Sequence, residues 1–273
     1  MFCKSLLPGP ALQQFVRNYK ILHVKFDNNH SIPAKHRPPK PEQDIVFYVK
    51  GFVNLHNLNT GMSQIPNPVS IFSHQIDKKR FQIASEFCMF TIFFHPGILH
   101  RLIGLPISDL KQSYHDAELF FGTEVREVTE QLALAPDYLS MVPIIEKFLL
   151  AKFRKLQMSD SVDDIAELLL GDPSGFSLDA IAKEACLSTK QFYRKFVERI
   201  GISPKFYSRI ARFNHAYYSK INHPDSSWSS IAQTYFYTDY HHLEKEFKEF
   251  TGLTPNEWLK ENQMSPERVL QLR

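Results

Sequence analysis

The chain contains one sequence pattern twice near its C-terminal end. Residues 181–204 read IAKEACLSTKQFYRKFVERIGISP, and residues 231–255 read IAQTYFYTDYHHLEKEFKEFTGLTP. Matching positions are 50 residues apart at the start of the pattern and 51 apart at its end, so the second copy has one additional residue. Solenoid proteins need more than two repeats to bury a continuous core. The duplication therefore predicts two copies of one short helical unit.

Each copy carries the start and stop signals of two helices joined by a turn. In the first copy Ser188 and Gln191 have the spacing of a capping box, and Gly201 can adopt the positive φ that ends many helices. Asp239 and Gly252 take the corresponding places in the second copy. These signals predict two helix-turn-helix motifs. The motifs span about residues 177–200 and about residues 227–251.

The second helix of the first motif has one apolar face and one polar face. Phe192 and Phe196 lie one turn apart and predict the buried face. Lys190 and Arg194 then point outward, also one turn apart, with Tyr193 beside them. A solvated helix face accounts for any single exposed cation equally well, so the first copy by itself leaves both explanations open.

The second copy repeats this arrangement. With Leu243 and Phe247 facing inward, His241 and Lys245 take the two outward positions. Both copies therefore expose hydrogen-bond donors at the same two places, which favours the reading of base edges in the DNA major groove. Tyr240 precedes these donors and is equally consistent with a backbone contact and with partial burial.

We predict two sets of DNA contacts. The residues expected at base edges or the adjacent backbone are Lys190, Tyr193, Arg194, Tyr240, His241 and Lys245. The residues expected at phosphates are Arg199, Lys205, Arg209 and Arg212. Some members of the second set must pair with acids instead. The first motif is expected to bind DNA more strongly than the second.

Charge indicates a nucleic-acid partner only locally. The formal net charge of the whole chain is +3, which is too small to indicate DNA binding by itself. Between Lys190 and Lys220, however, there are eight cations and one acid, Glu198. This basic segment covers the second helix of the first motif, which we call its recognition helix, and the helix after it. Contacts with phosphate are needed there.

The repeated segment resembles the DNA-binding domain of the AraC/XylS transcription regulators, over the last two fifths of the chain. The residues that carry the resemblance are Ile181-Ala182, Ser188, Arg194, Phe196, Gly201, Ser203-Pro204, Tyr207, Arg212, Ala216, Ile231-Ala232, Asp239, His242, Phe247-Lys248, Gly252 and Thr254-Pro255. In the second turn the family usually has glycine before an aromatic residue, whereas this chain has Phe236 before Tyr237. Because a bulky residue disfavours positive φ, we expect a rearranged second turn or a weakened second motif.

The N-terminal half predicts a small antiparallel sheet. Strand-like segments bounded by turn residues occur at residues 21–26, 44–49, 52–55, 69–72 and 88–94. A sheet that closes on itself loses its edges and can enclose a small ligand. A short helix is predicted from Leu12 to Tyr19, and helices are predicted at 123–134 and 140–156. Residues 27–41, rich in Asn, Pro and Lys, are predicted to form an exposed loop.

This half also resembles the sensor regions of some AraC-type regulators, in which a cupin-like sheet precedes helices. The resemblance rests on Phe94 to Ile98 and on Leu102 to Pro106, and it implies an effector-binding or dimerising role. The predicted architecture is therefore α+β. A cupin-like sensor or dimerisation domain is expected at residues 1–157, and an all-α DNA-binding domain at residues 160–273.

Several classes of function lack their sequence signatures. No apolar segment approaches the roughly 18 residues of a membrane-spanning helix, and Met1 to Pro10 lacks the apolar core of a signal peptide. Cys3, Cys88 and Cys186 are too scattered for a disulfide framework or a cysteine-rich zinc site. The 12 histidines follow no metal-ligand spacing, and no nucleotide-binding or nucleophile motif is present. We expect a cytoplasmic protein without catalytic residues, metal or cofactor.

These observations together predict a sequence-specific transcription regulator. Its partners would be double-stranded DNA and, through the N-terminal half, a small-molecule effector. The family resemblance adds RNA polymerase, and the long helices at 123–134 and 140–156 are candidates for a homodimer interface, although packing on their own domain is the commoner use. The alternative is a cupin-like enzyme, or a protein that binds a metal or small molecule, whose helical tail contacts other proteins.

Overall fold

A computed structural model of the chain defines its architecture. It describes residues 1–26, 32, 34–73, 76, 78–110, 114–154, 156, 159–173 and 177–263. Within these residues, antiparallel strands and four helices occupy the N-terminal half, and only helices follow in the C-terminal half. This order confirms the predicted α+β class. The domain limits stay a prediction, and residue 157 lies outside the described residues.

The described part of the N-terminal half contains ten strands in two sheets. The strands are β1 (Phe2–Leu6), β2 (Val16–Lys25), β3 (Lys35–Arg37), β4 (Asp44–Lys50), β5 (Val53–Asn57), β6 (Ser63–Gln64), β7 (Val69–Phe72), β8 (Lys79–Ile83), β9 (Glu86–Phe94) and β10 (His115–Asp116). The larger sheet has the order β1-β2-β9-β4-β7-β10, and the smaller sheet has the order β3-β8-β5-β6. Neighbouring strands in both sheets are antiparallel.

The larger sheet is organised around β9. Strands β2 and β4 pair along its two sides, so that Ile92 lies opposite Tyr19 on one side and Ile45 on the other. The sequence of β9 is rich in aromatic and β-branched residues, which favour strands, and most of its side chains are buried. One face of the sheet packs on helices, and the other face packs on the smaller sheet.

Four helices cover the first of these faces. They are α1 (Ile98–Ile103), α2 (Glu118–Phe121), α3 (Glu124–Ala133) and α4 (Met141–Phe153), with a short 3-10 turn at Ile107–Asp109. Phe148 of α4 packs edge-on against Phe47 of β4, with 6.2 Å between ring centroids. The two longer helices confirm the prediction from the apolar periodicity to within a few residues at each end.

The predicted helix from Leu12 to Tyr19 was wrong. The chain forms a turn around Leu12 and then enters β2 at Val16, where Tyr19 pairs with β9. The helical spacing of these apolar residues also fits a turn followed by a strand with alternating burial. Backbone pairing with a distant strand decides between the two, and a local sequence pattern does not contain that information.

The predicted exposed loop at residues 27–41 was wrong in part. Residues 35–37 form β3, which pairs with β8, and His36 within it is buried. Residues 27–31 and 33 lie outside the described residues. Lys and Pro usually indicate exposed segments, but β3 is covered by a helix from the opposite end of the chain.

The C-terminal half contains two similar three-helix units and one final helix. Its helices are α5 (Ser161–Gly171), α6 (Leu178–Glu184), α7 (Thr189–Ile200), α8 (Pro204–Asn222), α9 (Trp228–Thr234), α10 (Tyr240–Thr251) and α11 (Pro255–Gln263). Helices α5 to α7 enclose a core that contains Phe192 and Phe196, and helices α8 to α10 enclose one that contains Phe213 and Phe247. Helix α8 contributes side chains to both cores, so it joins the two units rigidly.

Helices α7 and α8 also touch the N-terminal half. The buried side-chain amide of Gln43 donates to the carbonyl of Ile200 at 3.2 Å, at the last turn of α7. The side-chain amide of Asn214 in α8 donates to the carbonyl of Pro39 at 3.0 Å. The first unit is therefore held against the N-terminal half at the end of its recognition helix.

The start of α1 lies so close to α5 that the contact requires a glycine. Gly97 precedes α1 with a φ of 77°, and a Cβ at this position would lie 1.9 Å from a carboxylate oxygen of Asp163 in α5. Gly104, at the other end of α1, has a φ of 72° and nothing within 4 Å of such a Cβ. The two glycines share their backbone requirement but differ in their surroundings.

Replacing each glycine separates backbone strain from this contact. Gly104→Ala should lower the free energy of unfolding by about 1–2 kcal/mol, the cost of a left-handed conformation with a Cβ. Gly97→Ala should lower it by about 1–3 kcal/mol more, because the added methyl displaces Asp163. Denaturant titration measures both. Equal losses would contradict the close packing of α1 on α5.

Candidate nucleic-acid interface

The first helix-turn-helix motif comprises α6, a turn and α7. Ser188 caps α7: its hydroxyl accepts from the backbone N–H of Gln191 at 3.3 Å, and the Gln191 side chain accepts from the Ser188 N–H at 3.1 Å. Gly201 ends the helix with a φ of 92°. Phe192 and Phe196 are fully buried. The predicted cap, end and buried face of this helix are confirmed.

The second motif comprises α9, a turn and α10, and it follows the same rules. The Asp239 carboxylate accepts from the backbone N–H of His242 at 2.8 Å, and Gly252 ends α10 with a φ of 82°. Leu243 and Phe247 are fully buried. The duplication predicted from the sequence is therefore present in the caps, the apolar faces and the helix ends.

The two turns have matching backbones. Cys186 and Phe236 are the non-glycine residues with positive φ, at 55° and 59°, in the described part of the chain. In the first turn the N–H of Leu187 donates to the carbonyl of Ala182 at 2.9 Å. In the second turn the N–H of Tyr237 donates to the carbonyl of Ala232, also at 2.9 Å. The expected rearrangement of the second turn was therefore wrong. The Phe236 side chain is 65% exposed, so the bulky ring meets no clash and only the backbone is strained.

The predicted base-reading residues lie on two solvent-facing helix surfaces. Lys190, Tyr193 and Arg194 are exposed on α7, and His241 and Lys245 are exposed on α10. Tyr240 is half-buried and packs against the second core, which fits its alternative role. The structure thus brings the members of each set together on one helix, and their contacts with DNA stay a prediction.

Three of the four predicted phosphate-binding residues form ion pairs inside the helical region. Arg199 donates two hydrogen bonds of 2.6 Å to the Asp163 carboxylate. The guanidiniums of Arg209 and Arg212 contact Glu246 at 2.9 and 3.0 Å. Lys205 is exposed near the start of α8. These pairings do not test a phosphate contact, which stays a prediction for all four residues.

Neighbouring carboxylates favour the charged state of Arg199 and Arg209. Burial lowers the pKa of Arg199, but its hydrogen bonds with Asp163 outweigh this effect and raise the pKa. Arg209 shows the same balance: burial lowers its pKa, and hydrogen bonds with Glu249 and Glu246 raise it. Sequence reasoning missed Asp163 and Glu246 as partners, because pairing across more than thirty residues leaves no local pattern.

The acids of α10 are largely neutralised by neighbours. Glu246 and Glu249 pair with Arg209, and Glu244 contacts Lys248 at 3.1 Å. The acidic residues beside the outward cations therefore do not present an unpaired negative surface. A weaker second motif remains a prediction, but charge repulsion by these acids is a poor reason for it.

Comparison with known proteins agrees with this geometry. Residues 181–261 match the family model described as a helix-turn-helix domain. That match spans α6 to α11, which includes both turns and both recognition helices. The C-terminal region is an AraC-type helix-turn-helix domain. The match and the two duplicated motifs support a DNA-binding role for this region.

Solved structures show the same fold over most of the chain. The apo form of a ToxT variant from Vibrio cholerae is 14% identical and has a TM-score of 0.52, covering 89% of this chain and 97% of the ToxT chain. A second ToxT structure from the same organism is 13% identical with a TM-score of 0.50, covering 89% and 98%. Identities this low establish a shared fold and nothing more. No curated protein sequence matches the chain.

A large cavity lies between the N-terminal half and the helix-turn-helix domain. Its volume is about 1160 Å³. Apolar side chains of both sheets line one side of it, and Tyr218 of α8 and Trp258 of α11 line the other. Three lysines, Lys20, Lys35 and Lys40, also lie at its wall. The cavity therefore combines an apolar interior with positive charge, and it touches two helices of the DNA-binding domain.

Two further classes of site are absent from the part of the chain that the structure describes. No helix there is both long and apolar enough to cross a membrane. No group of three or more His, Cys, Asp or Glu side chains in this part of the chain is arranged to hold a metal ion. The three described cysteines are all free thiols.

Relief of the strained second turn should stabilise the helix-turn-helix domain. Phe236→Gly should raise the free energy of unfolding by about 1 kcal/mol, because glycine adopts positive φ without the Cβ penalty. Phe236→Ala keeps the Cβ and should give no such gain. Denaturant midpoints of the three proteins measure the difference. A loss of stability in Phe236→Gly would show that the phenyl ring makes contacts that outweigh the strain.

Proposed function

We propose that the protein is a sequence-specific transcription regulator that reads two successive segments of the DNA major groove. The observation that carries this proposal is the exposure of Lys190 and Arg194 on α7 and of His241 and Lys245 on α10. These are equivalent positions of two duplicated recognition helices in an AraC-type domain. We propose the cytoplasm as the location of such a regulator.

The connecting helix supports simultaneous use of both motifs. Helix α8 has 19 residues and is about 28 Å long. Successive major-groove segments on one face of DNA are about 34 Å apart. Because α8 belongs to both hydrophobic cores, it fixes the position of one recognition helix relative to the other.

We assign the DNA contacts in two groups. Lys190, Tyr193, Arg194, Tyr240, His241 and Lys245 are proposed to contact bases or the adjacent backbone. Lys205 is the best-placed phosphate ligand, because it is exposed beside the first unit. Arg199, Arg209 and Arg212 would have to share a phosphate with their carboxylate partners, so we rank them below Lys205.

Arg194→Ala tests base reading by the first motif. Loss of a base contact should weaken binding to the specific site by about 1–3 kcal/mol and leave binding to unrelated DNA nearly unchanged. Titration of both DNAs at one fixed salt concentration measures the two affinities. An equal loss on both DNAs would make Arg194 a phosphate ligand. The exposed Lys147 of α4, replaced by alanine, serves as the control.

Lys245→Ala tests use of the second motif. Hydroxyl-radical footprinting should show loss of protection over one half-site, while protection over the other half-site persists. The two motifs sit on separate cores, so the loss should not spread. An unchanged footprint with unchanged affinity would mean that only the first motif engages DNA.

We further propose that the cavity between the two halves binds the effector. Lysines at an apolar wall favour an anionic small molecule with a sizeable apolar body. A ligand there would contact α8 and α11 as well as the sheets, so its binding energy could bias the placement of the DNA-binding domain. A second copy of the chain and RNA polymerase are proposed as further partners on the family resemblance.

The effector site can be tested with a long-chain unsaturated fatty acid as the probe, because it joins one carboxylate to one apolar chain. The chain has two tryptophans, and Trp258 lines the cavity. In a Trp228→Phe background, Trp258 fluorescence should change saturably with the probe. Lys20→Met should weaken binding about tenfold, the loss of a charge-assisted contact. Lys147→Met is the control, and equal binding of the uncharged alcohol would contradict an anion site.

A further inference from the structure

Each recognition helix is tied by ion pairs to the helix that precedes its motif. For the first motif this preceding helix is α5, and for the second it is α8. The charges are reversed between the two units. In the first unit the recognition helix carries the cations, and in the second unit it carries the anions. We call the two sets of ion pairs the first clamp and the second clamp.

The first clamp joins α7 to the start of α5. Lys195 donates to the Asp160 carboxylate at 2.9 Å, and Arg199 binds Asp163 through two hydrogen bonds of 2.6 Å. Asp160 is the N-cap of α5, so its carboxylate also accepts from the helix backbone. Only 13% of the Arg199 side chain and 6% of the Asp163 side chain are exposed.

The second clamp joins α10 to α8. Glu246 is 2% exposed and accepts from Arg209 at 2.9 Å, from Arg212 at 3.0 Å and from the Tyr237 hydroxyl at 2.5 Å. Arg209 also donates to Glu249 at 2.6 Å. The Arg212 guanidinium lies 4.3 Å from the centre of the Tyr237 ring. Glu246 is therefore the centre of this clamp.

The clamps occupy matching places in the repeat. Lys195 and Glu246 are 51 residues apart, the same separation as Phe196 and Phe247. Opposite charges thus stand at one position of the two recognition helices. If α10 packed on α5, Glu246 would take the place of Lys195 and face the Asp160 carboxylate, and like charges repel. The charge at this position therefore favours the packing of each recognition helix on its own preceding helix.

We infer that the clamps are positioning devices for the two recognition helices, and that Arg199 and Glu246 are their central residues. This inference rests on the proposed function, in which both helices enter the major groove. Arginine forms planar, paired hydrogen bonds with carboxylates, so it fixes the angle of a helix as well as neutralising charge. The outer pairs, Lys195–Asp160 and Arg209–Glu249, are more exposed and contribute less.

The clamps use the inner side of each recognition helix and leave the outer side to DNA. Glu246 is buried and Arg199 is largely buried beside the cores that contain Phe247 and Phe196, whereas Arg194 and Lys245 are exposed. The orientation of the outward donors thus depends on contacts made on the opposite side of each helix. Loss of an inner pair should disturb one recognition helix and leave the other in place.

Arg199→Lys tests the first clamp. Lysine keeps the positive charge but cannot form the paired hydrogen bonds. We expect the affinity for the half-site read by α7, measured from its protection in a footprint titration, to fall about tenfold, as it would on loss of one base contact. Protection over the half-site read by α10 should be unchanged. If Arg199 instead serves as a phosphate ligand, Arg199→Lys should retain binding. That result would contradict the inference.

Glu246→Gln tests the second clamp in the same footprint. Protection should weaken over the half-site read by α10 and stay unchanged over the half-site read by α7. Glu249→Gln removes the exposed outer acid and is the matched control, with less than a twofold effect expected. Equal losses over both half-sites in Arg199→Lys and Glu246→Gln would indicate a purely stabilising role and would overturn the assignment.

Hydrogen exchange of the free protein tests the clamps without DNA. Arg199→Lys should speed exchange in α7 and not in α10, and Glu246→Gln should do the opposite. Unchanged or uniformly faster exchange would contradict the clamps, whatever the DNA result. Absence of any wild-type footprint, with helix-specific changes in exchange, would instead contradict the proposed function and leave the clamps supported.

Discussion

Two large apolar side chains, one turn apart, set the rotation of each recognition helix. Phe192 and Phe196 must both enter the first core, and Leu243 and Phe247 must both enter the second. Once these pairs are buried, the residues on the opposite side of each helix face solvent. The outward donors owe their exposure to this constraint, since no other rotation of the helix buries both apolar groups.

The parts of the domain that could be predicted from the sequence are those fixed by neighbouring residues. Ser188 caps α7 through bonds to a residue three positions away, and Gly201 ends it through its own backbone freedom. Such features repeat wherever the same short pattern occurs. The duplication also predicted that the second copy would follow the first. Its turn did so even at Phe236, where the backbone accepts strain and the ring extends into solvent.

The parts that could not be predicted depend on pairing across the chain. Arg199, Arg209 and Arg212 had the positions expected of phosphate ligands, yet each meets a carboxylate from another helix. Strand β3 was predicted to be part of an exposed loop. The helix that covers it, α11, comes from the far end of the chain, so the local sequence does not reveal it. Leu12 to Tyr19 had a helical spacing, but a distant strand provided the hydrogen bonds that drew Tyr19 into β2. Local pattern carries no information about such partners.

The two halves of the chain meet beside the proposed ligand site and the proposed DNA-binding surface. The cavity is walled by the sheets on one side and by α8 and α11 on the other, and the last turn of α7 rests on Gln43. A ligand in the cavity and DNA on the recognition helices would therefore act on the same set of helices. Differential binding of a ligand to two placements of these helices would be sufficient to couple the sites.

Selection of genomic DNA fragments by the purified, full-length protein tests the central claim most directly. Two recognition helices joined by α8 predict an enriched sequence with two conserved half-sites, whose centres are about 10 base pairs apart. Recovery of a single half-site, or of two at a variable separation, would contradict simultaneous reading by both motifs. No enrichment over input DNA would contradict the assignment as a sequence-specific regulator.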